Sequence, residues 1–455
     1  MRKFIAQQFG NQLYDLLNNR SLTKYYKEFK PFVTANRVKI KEFQFQKIQK
    51  LLEHAYVNVP FYRQRFNDLK IKPTDIRSLN DFAVFPSLKR EDLQNHWKDI
   101  ISKNYPLDDL SKGTSSGSTG VPVVYFKDNK ASSAGKAAHQ IGWELSGWEF
   151  GMKGLHIWGN PATVNNEWKR LSSKLKVKVF NQYKFPSYQL TEKGKFDELI
   201  AYINKMKFDF IDGYTNAIYL LAEYIDRNNI MIHRPKYVLP TGENLQLFQK
   251  RLIEKVLGMV YDEYGCSEIN GIAYECEKCR KYHVLEPHVA VEFGRQMTSE
   301  GERALIITDL DNYGFPLIRY ENGDTCIPIT EEKIDCVVQL QRIEMISGRI
   351  SDIIHFPDGG VLSVPSFFGS MLLKQINGIK QYQIERVRPN ELIVKLVVGP
   401  DFNKTDKKKI NDAMLEYLGQ NINWKVDLVD KIEVSKTGKF KLLIDKTKNN
   451  AEINI

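Results

Sequence analysis

Apolar positions change their period along the chain, and the changes mark its parts. Phe43, Ile48, Leu51, Leu52 and Ala55 recur at helical spacing, and the run closes near Val57-Asn58-Val59-Pro60. Residues 1–110 accordingly read as a mostly helical lead-in, punctuated by turn and cap signals at Ile71-Lys72-Pro73-Thr74-Asp75 and Phe85-Pro86-Ser87-Leu88. Between 114 and 330, short apolar runs alternate with helical stretches. Gly154-Leu155-His156-Ile157-Trp158, Tyr237-Val238-Leu239-Pro240 and Ala304-Leu305-Ile306-Ile307-Thr308 are the clearest of these runs. Such alternation predicts α/β layers. After Arg349 the pattern changes again. Glu391 to Val398 predicts a strand, Thr405 to Leu418 a charged helix, and Val426 to Val429 a second strand, which together make a small α+β domain of about a hundred residues. There is no internal repeat and no low-complexity tract.

Composition narrows the class. The chain has 455 residues, 42% hydrophobic and 12% aromatic, which is globular rather than disordered. No run approaches 18 apolar residues, and the first residues turn polar too soon for a secretory signal, so a cytoplasmic protein is expected. Five cysteines are too few for a disulfide scaffold, and the odd count fits a reducing compartment. The net charge of +11 is uneven: residues 1–50 hold 11 Lys/Arg against 3 Asp/Glu. That segment reads either as the solvated face of amphipathic helices or as a contact for an anionic partner. The partner would be the inner face of a membrane or a phosphate-linked sugar. No motif points to nucleic acid.

The chemistry begins at Thr114-Ser115-Ser116-Gly117-Ser118-Thr119-Gly120-Val121-Pro122. Small hydroxyl residues and glycines cannot build a core, but they can wrap N–H and O–H groups around a phosphate. Downstream stand Tyr264-Gly265-Cys266-Ser267-Glu268, then Asp324, Gly348-Arg349 and Gly438-Lys439. Attack of a carboxylate on ATP needs a held triphosphate, neutralised charge at the phosphorus and a departing pyrophosphate. The loop serves the first, and a carboxylate-held Mg²⁺ with a lysine serves the other two. Glu268 and Lys439 are the candidates, with Lys436 and Lys441 as competitors of Lys439.

In this order the motifs resemble the adenylate-forming superfamily of acyl-CoA synthetases, peptide-synthetase adenylation domains and luciferases. The similarity is strongest to its phenylacetate–CoA ligase branch, which includes capsular-polysaccharide-associated relatives, and it covers nearly the whole chain. Gln44 to Leu52 with Ala55 to Tyr62 is similar to the branch's N-terminal signature, and Thr114 to Gly120 to its phosphate loop. The resemblance implies that Tyr264 stacks on adenine, Ser267 meets a phosphate and Glu268 holds Mg²⁺. It likewise implies that Asp324 accepts from the ribose hydroxyls, that Arg349 precedes an interdomain hinge and that Lys439 is the catalytic lysine. Gly242-Glu243-Asn244 and Gly265 would lie against the adenosine, and Tyr214, with His156 and Trp158, near the acyl pocket. The implied architecture is a large N-terminal domain over 1–348, a hinge at 349–352 and a mobile C-terminal α+β lid over 353–455. Two positions depart from the pattern: Val123 stands where many members carry lysine, and Ser351 where relatives show aspartate.

The expected reaction joins ATP and a carboxylic acid to an acyl-adenylate, then passes the acyl group to a thiol or amine. Coenzyme A is the first choice of acceptor, and an amine or sugar of a surface-polysaccharide precursor the second. A non-catalytic nucleotide-binding relative and a zinc-containing nucleic-acid binder are the rivals. Separately, Cys276-Glu277-Lys278-Cys279 with His283 has the spacing of a tetrahedral Zn²⁺ site. Cys336 is the choice for a fourth ligand, with Cys326 and Cys266 as alternatives, and the role would be structural.

Overall fold

The computed structural model describes residues 2–115, 123–158, 180–191, 194–298, 301–329, 336–349, 352–364, 367–368, 376, 378–432 and 441–447. For 2–9, 115, 188, 191 and 417 it describes the backbone only. The lead-in is helical, as its periodicity predicts: α1 (Arg2–Asn18), α2 (Leu22–Phe29), α3 (Arg37–Asn58), α4 (Pro60–Leu69), α5 (Leu79–Ala83) and α6 (Arg90–Ile100). Asn36 caps α3 by accepting from the Lys39 amide, and proline at the first position of α4 separates the two helices. The buried stripe Ile48, Leu51, Leu52 and Ala55 of α3 packs into the core of the N-terminal half.

The chain then pairs β1 (Ser111–Ser115) antiparallel with β2 (Val123–Lys127), the two strands that flank the Gly/Ser run in sequence. Helix α7 (Asn129–Leu145) follows. Its cap Asp128 accepts from Ala131 N–H, and its second oxygen accepts from the amides of Tyr313 and Gly314, which anchors the helix start to a distant loop.

Two sheets pack around α7. The first is parallel: β3 (Gly154–Ile157), β4 (Gln182–Phe185), β5 (Phe210–Tyr214), β6 (Tyr237–Thr241) and β7 (Met259–Val260), in the order β4-β3-β5-β6-β7. Alternate residues of its strands face opposite ways. Leu155, Ile157, Ile211 and Val238 share a core with α8 (Lys195–Met206), α9 (Thr215–Arg227) and α10 (Leu247–Val256), whereas Phe210 and Leu239 pack towards α7. The second sheet is antiparallel throughout. It holds β8 (Glu263–Tyr264), β9 (Ala273–Glu275), β10 (Tyr282–Val284), β11 (Val289–Gln296), β12 (Arg303–Asp309), β13 (Tyr320–Pro328) and β14 (Arg342–Arg349), in the order β11-β12-β13-β14-β10-β9-β8. The run Ala304 to Thr308 therefore lies in an antiparallel sheet and not in an α/β layer. Buried on both faces, it carries the same continuous apolar signature as a parallel strand.

A small hairpin, β15 (Ile353–His355) with β16 (Val361–Ser363), leads to a four-stranded sheet. That sheet holds β17 (Ile379–Arg388), β18 (Glu391–Val398), β19 (Asn423–Leu428) and β20 (Leu443–Asp445), with α11 (Lys404–Leu418) on it. The sequence places the strand and the helix within a residue of these bounds. Tyr382 of β17 donates to Gln246 Oε1 beside α10, so the C-terminal sheet rests on the helices of the parallel sheet. No described helix is long and apolar enough to cross a membrane.

Candidate active site

The antiparallel sheet builds the first part of the site. Its edge strand β8 presents Tyr264, and β13 and β14 bring Asp324 opposite Arg349 in register. The Tyr264 hydroxyl donates to Asp324 Oδ2 at 2.8 Å, and Asn322 Nδ2 donates to both oxygens, each at 2.8 Å. Gly323 between them has φ +86°, a left-handed jog that places Asn322 and Asp324 on the same tyrosine. Burial pushes the Asp324 carboxyl up, although Arg349 Nε, 3.7 Å from Oδ1, pulls the other way. Burial likewise pushes Tyr264 far above its ordinary range, so the phenol remains a donor. Asn244 Nδ2 donates to Ser347 O at 3.0 Å and ties the Gly242-Glu243-Asn244 turn to β14. Gly242 has φ +80°, and a Cβ there would sit 3.2 Å from the Tyr214 ring.

Beyond Gly265, Glu268 is buried and accepts from the Tyr320 hydroxyl at 3.3 Å. Lys127, at the end of β2, donates to Ser267 O at 2.8 Å. Its ammonium is pushed down by burial, while Cys266, Asp309 and Glu268 partly offset this. Thr114 and Ser115 lie on β1, paired with Val124 and Val123. Ser116, Gly117, Ser118, Thr119, Gly120, Ser351 and Lys439, with its competitor Lys436, lie outside the described residues. Asp352, the last residue of the expected hinge, is raised to about 6 by burial against the pull of Arg349.

The C-terminal ends of the parallel strands supply a second wall, where open α/β sheets bind their ligands. His156 and Asp212 are register partners on β3 and β5, with Nδ1 2.5 Å from Oδ1. Trp158 Nε1 donates to Asp212 Oδ2 at 3.0 Å, and the Trp158 ring lies 4.5 Å from that of Tyr214. Gly213 is required by close approach, since a Cβ would stand 2.4 Å from Ile157 O. Opposite, Trp143 of α7 donates to Glu263 Oε2 at 2.7 Å, and burial raises that carboxyl to about 7. Asn244, just past the end of β6, bonds Ser347 of β14, and Gly242 lies against Tyr214, so the two walls meet.

Apart from these, Cys276, Cys279, His283 and Cys336 place four donor atoms within 4.8 Å of one another. The separations are 3.9 Å for Cys276–Cys336, 3.3 Å for Cys279–His283 Nε2 and 3.6 Å for Cys336–His283 Nε2. Tetrahedral zinc with Zn–S of about 2.3 Å and Zn–N of about 2.05 Å requires about 3.75 Å between sulfurs and about 3.55 Å between sulfur and nitrogen. His283 Nδ1 faces Leu340 O at 3.3 Å, which leaves Nε2 as the free lone pair. Burial pushes His283 down to about 4 and Cys279 up to about 12. Cys326 and Cys266 lie outside this group.

A family model described as the CapK C-terminal domain matches residues 359–446. Protein CapK of Staphylococcus aureus is 26% identical over 444 residues, covering 95% of this chain and 94% of that protein. Phenylacetate-coenzyme A ligase of Pseudomonas putida is 27% identical over 392 residues, covering 80% and 82%. Among solved structures, 2-hydroxyisobutyryl-CoA ligase in its postadenylation state matches at TM-score 0.73 and 18% identity, over 92% of each chain. The chain is thus similar in sequence to protein CapK and to phenylacetate-coenzyme A ligases, and similar in fold to a CoA ligase. The same 2-hydroxyisobutyryl-CoA ligase in its thioesterification state matches at only 0.59, so this chain's fold follows the postadenylation form more closely.

Within the ligase fold, several residues had no sequence signal. Lys127 follows the Gly/Ser loop by seven residues, and only the hairpin register brings it to Ser267. Asn322 stands inside the Asp324 motif, but its bridge to Tyr264 depends on the glycine jog. Asp212 and Glu263 meet His156 and Trp143 through strand and helix packing. The basic N-terminal segment has a structural use as well. Lys30 pairs with Glu144, Arg37 and Lys41 both hold the buried Glu286, and Lys47 holds Asp311 at 2.6 Å.

Proposed function

We propose that this protein activates a carboxylic acid with ATP, forming an acyl-adenylate and pyrophosphate, and then transfers the acyl group to coenzyme A. The observation that carries this reading is the meeting of the Tyr264–Asn322–Asp324–Arg349 corner with the end of the parallel sheet, next to Ser267 and Glu268. The corner suits an adenosine: an aromatic face for the base and a carboxylate able to accept from ribose hydroxyls. Arg349 sits where it can neutralise Asp324 or reach a phosphate. Glu268 would hold Mg²⁺, which supplies charge neutralisation at the phosphates when bound. Thr114, Ser115 and the rest of the Gly/Ser loop would donate to the triphosphate, and Lys439 to the oxygen on which charge develops. The acid would approach along the His156, Trp158 and Tyr214 wall.

The other features fall into supporting roles. The Cys276, Cys279, His283 and Cys336 group would hold a structural Zn²⁺, since it takes no part in the wall or the corner. The segment from Ile353 onward would act as the lid, with 349–352 as its hinge. Five cysteines without a disulfide among them suit a cytoplasmic setting. The match of the C-terminal segment to the CapK model supports a second reading, in which the acceptor is an amine or a sugar rather than coenzyme A. A membrane surface has less behind it, because Lys30, Arg37, Lys41 and Lys47 are engaged with acids of the same chain.

The test is AMP release with a turned-over acid, measured with coenzyme A and separately with amino sugars and free amines. Acyl-CoA formation supports the first reading. Acylation of an amine with no response to coenzyme A replaces it with the second.

A further inference from the structure

The wall proposed for the acid is more polar than an aryl or alkyl group needs. His156 is nine-tenths buried, and its Nε2 has no hydrogen-bond partner. Its Nδ1 stands 2.5 Å from Asp212 Oδ1, which itself has no hydrogen-bond partner; in the neutral ring with its proton on Nδ1, Nε2 is an acceptor. A buried acceptor without a donor is costly in an empty site and is expected where a ligand completes it. Two carboxyl groups lie near it, the buried Asp212 and, close to Asp212, Glu263 with its side chain 9% exposed, each already holding one indole N–H. Both tryptophan donors are therefore occupied, and the buried atoms of this cluster left without a partner are His156 Nε2 and Asp212 Oδ1. Burial raises Glu263 to about 7, the behaviour of a carboxyl that a donor or cation would stabilise in its ionised form. Phe210 closes one side of the His156 ring at 5.8 Å.

We propose that the acid this protein activates carries a hydrogen-bond donor on its chain, a hydroxyl or an ammonium group, bound by His156 Nε2 between Asp212 and Glu263. This rests on the acid-activation reading above and assigns the substrate class of that site. An unsubstituted aryl or alkyl acid leaves His156 Nε2 unpaired and is discriminated against. A donor-bearing acid completes the dyad, and the neighbouring carboxylates tilt the balance further if the donor is charged. Sites built to bond a hydroxyl or amine reject the analogue lacking it far more strongly than apolar pockets reject a missing methylene.

The experiment is ATP–pyrophosphate exchange by the wild-type protein on matched acids. Phenylacetate is compared with 4-hydroxyphenylacetate and 4-(aminomethyl)phenylacetate, and butyrate with 4-hydroxybutyrate and 4-aminobutyrate. The expected result is at least a tenfold higher kcat/KM for a donor-bearing acid than for its plain counterpart. The better of the hydroxyl and ammonium arms then identifies the donor. In His156→Phe the ratio should collapse towards one, while His156→Gln, which keeps an acceptor near Nε2, should retain part of it. Equal exchange of plain and substituted acids by the wild type overturns the inference and leaves acid activation standing. A preference that survives in folded His156→Phe overturns the assignment to this cluster. No acid-dependent exchange with any of the six overturns the acid-activation reading itself, and this inference with it.

Discussion

Replacing Asp324 with asparagine isolates the ribose contact from the fold. In the protein, Asp324 Oδ2 accepts from the Tyr264 hydroxyl and from Asn322, both at 2.8 Å. An asparagine carbonyl can take over that position, so both donors keep their acceptor. Its NH₂ would then stand where Oδ1 faces Arg349 and the proposed nucleotide. One acceptor to a ribose hydroxyl is lost, and it is the charged one. Hydrogen bonds to charged groups contribute about 1.5–3 kcal/mol each, so KM for ATP should rise roughly 10- to 150-fold. The assay is pyrophosphate exchange against ATP concentration, with a thermal melt to show that the variant folds like the wild type. The pH dependence adds a second check. Burial raises the Asp324 carboxyl, so in the wild type ATP affinity should fall on acidification earlier than for an ordinary carboxylate, whereas the variant should show no such step. An unchanged melt together with a KM for ATP within twofold of wild type would refute the ribose role.

Other consequences are independent of that corner. Arg37→Ala/Lys41→Ala strands the buried Glu286 and should cost about 3–5 kcal/mol in urea unfolding at neutral pH. Burial alone would raise the Glu286 carboxyl, but Arg37 and Lys41 outweigh it and hold it below its ordinary value. Its contribution is therefore full above that ordinary value and lost as pH falls through the depressed one, so the gap between wild type and variant should close in acid. Metal analysis of the purified protein should find one zinc per chain, and Cys279→Ser should lose it and lower Tm; a wild type without zinc and with unchanged Tm in chelator contradicts a zinc site at Cys276, Cys279, His283 and Cys336. Gly213→Ala places a Cβ 2.4 Å from Ile157 O and should yield little folded protein, which soluble expression and circular dichroism will show. Lys127→Met should slow exchange at least tenfold without shifting Tm by more than a few degrees, because it removes the cation held at Ser267 and Glu268.

Local features of the fold were legible because they rest on local causes. The α3 stripe, the strand Glu391–Val398 and helix α11 follow from periodicity and capping alone. Pairing did not follow, because the direction of a neighbouring strand is a long-range choice. Strand β12 reads as an α/β run yet pairs antiparallel with β11 and β13. The same division holds in the site. Tyr264, Glu268, Asp324 and Arg349 sit in short motifs of unusual composition, and the structure brings Tyr264, Asp324 and Arg349 together. Asp212 and Glu263 are ordinary acids in sequence, and only the register of β3 with β5 and the packing of α7 reveal them as buried partners of His156, Trp158 and Trp143. The Cys276–Cys279–His283 spacing announces a metal site, while Cys336, more than fifty residues away, joins it through the approach of the segment before β14 to β10.

The central claim is acid activation by ATP, and isotope exchange between pyrophosphate and ATP tests it most directly. With Mg²⁺, without coenzyme A and across aryl, alkyl, hydroxy and amino acids, the protein should catalyse exchange only when its acid is present, and Lys439→Ala should lower that rate at least a hundredfold. Tight ATP binding with no acid-dependent exchange anywhere in the panel, or exchange unaffected by Lys439→Ala, would contradict it.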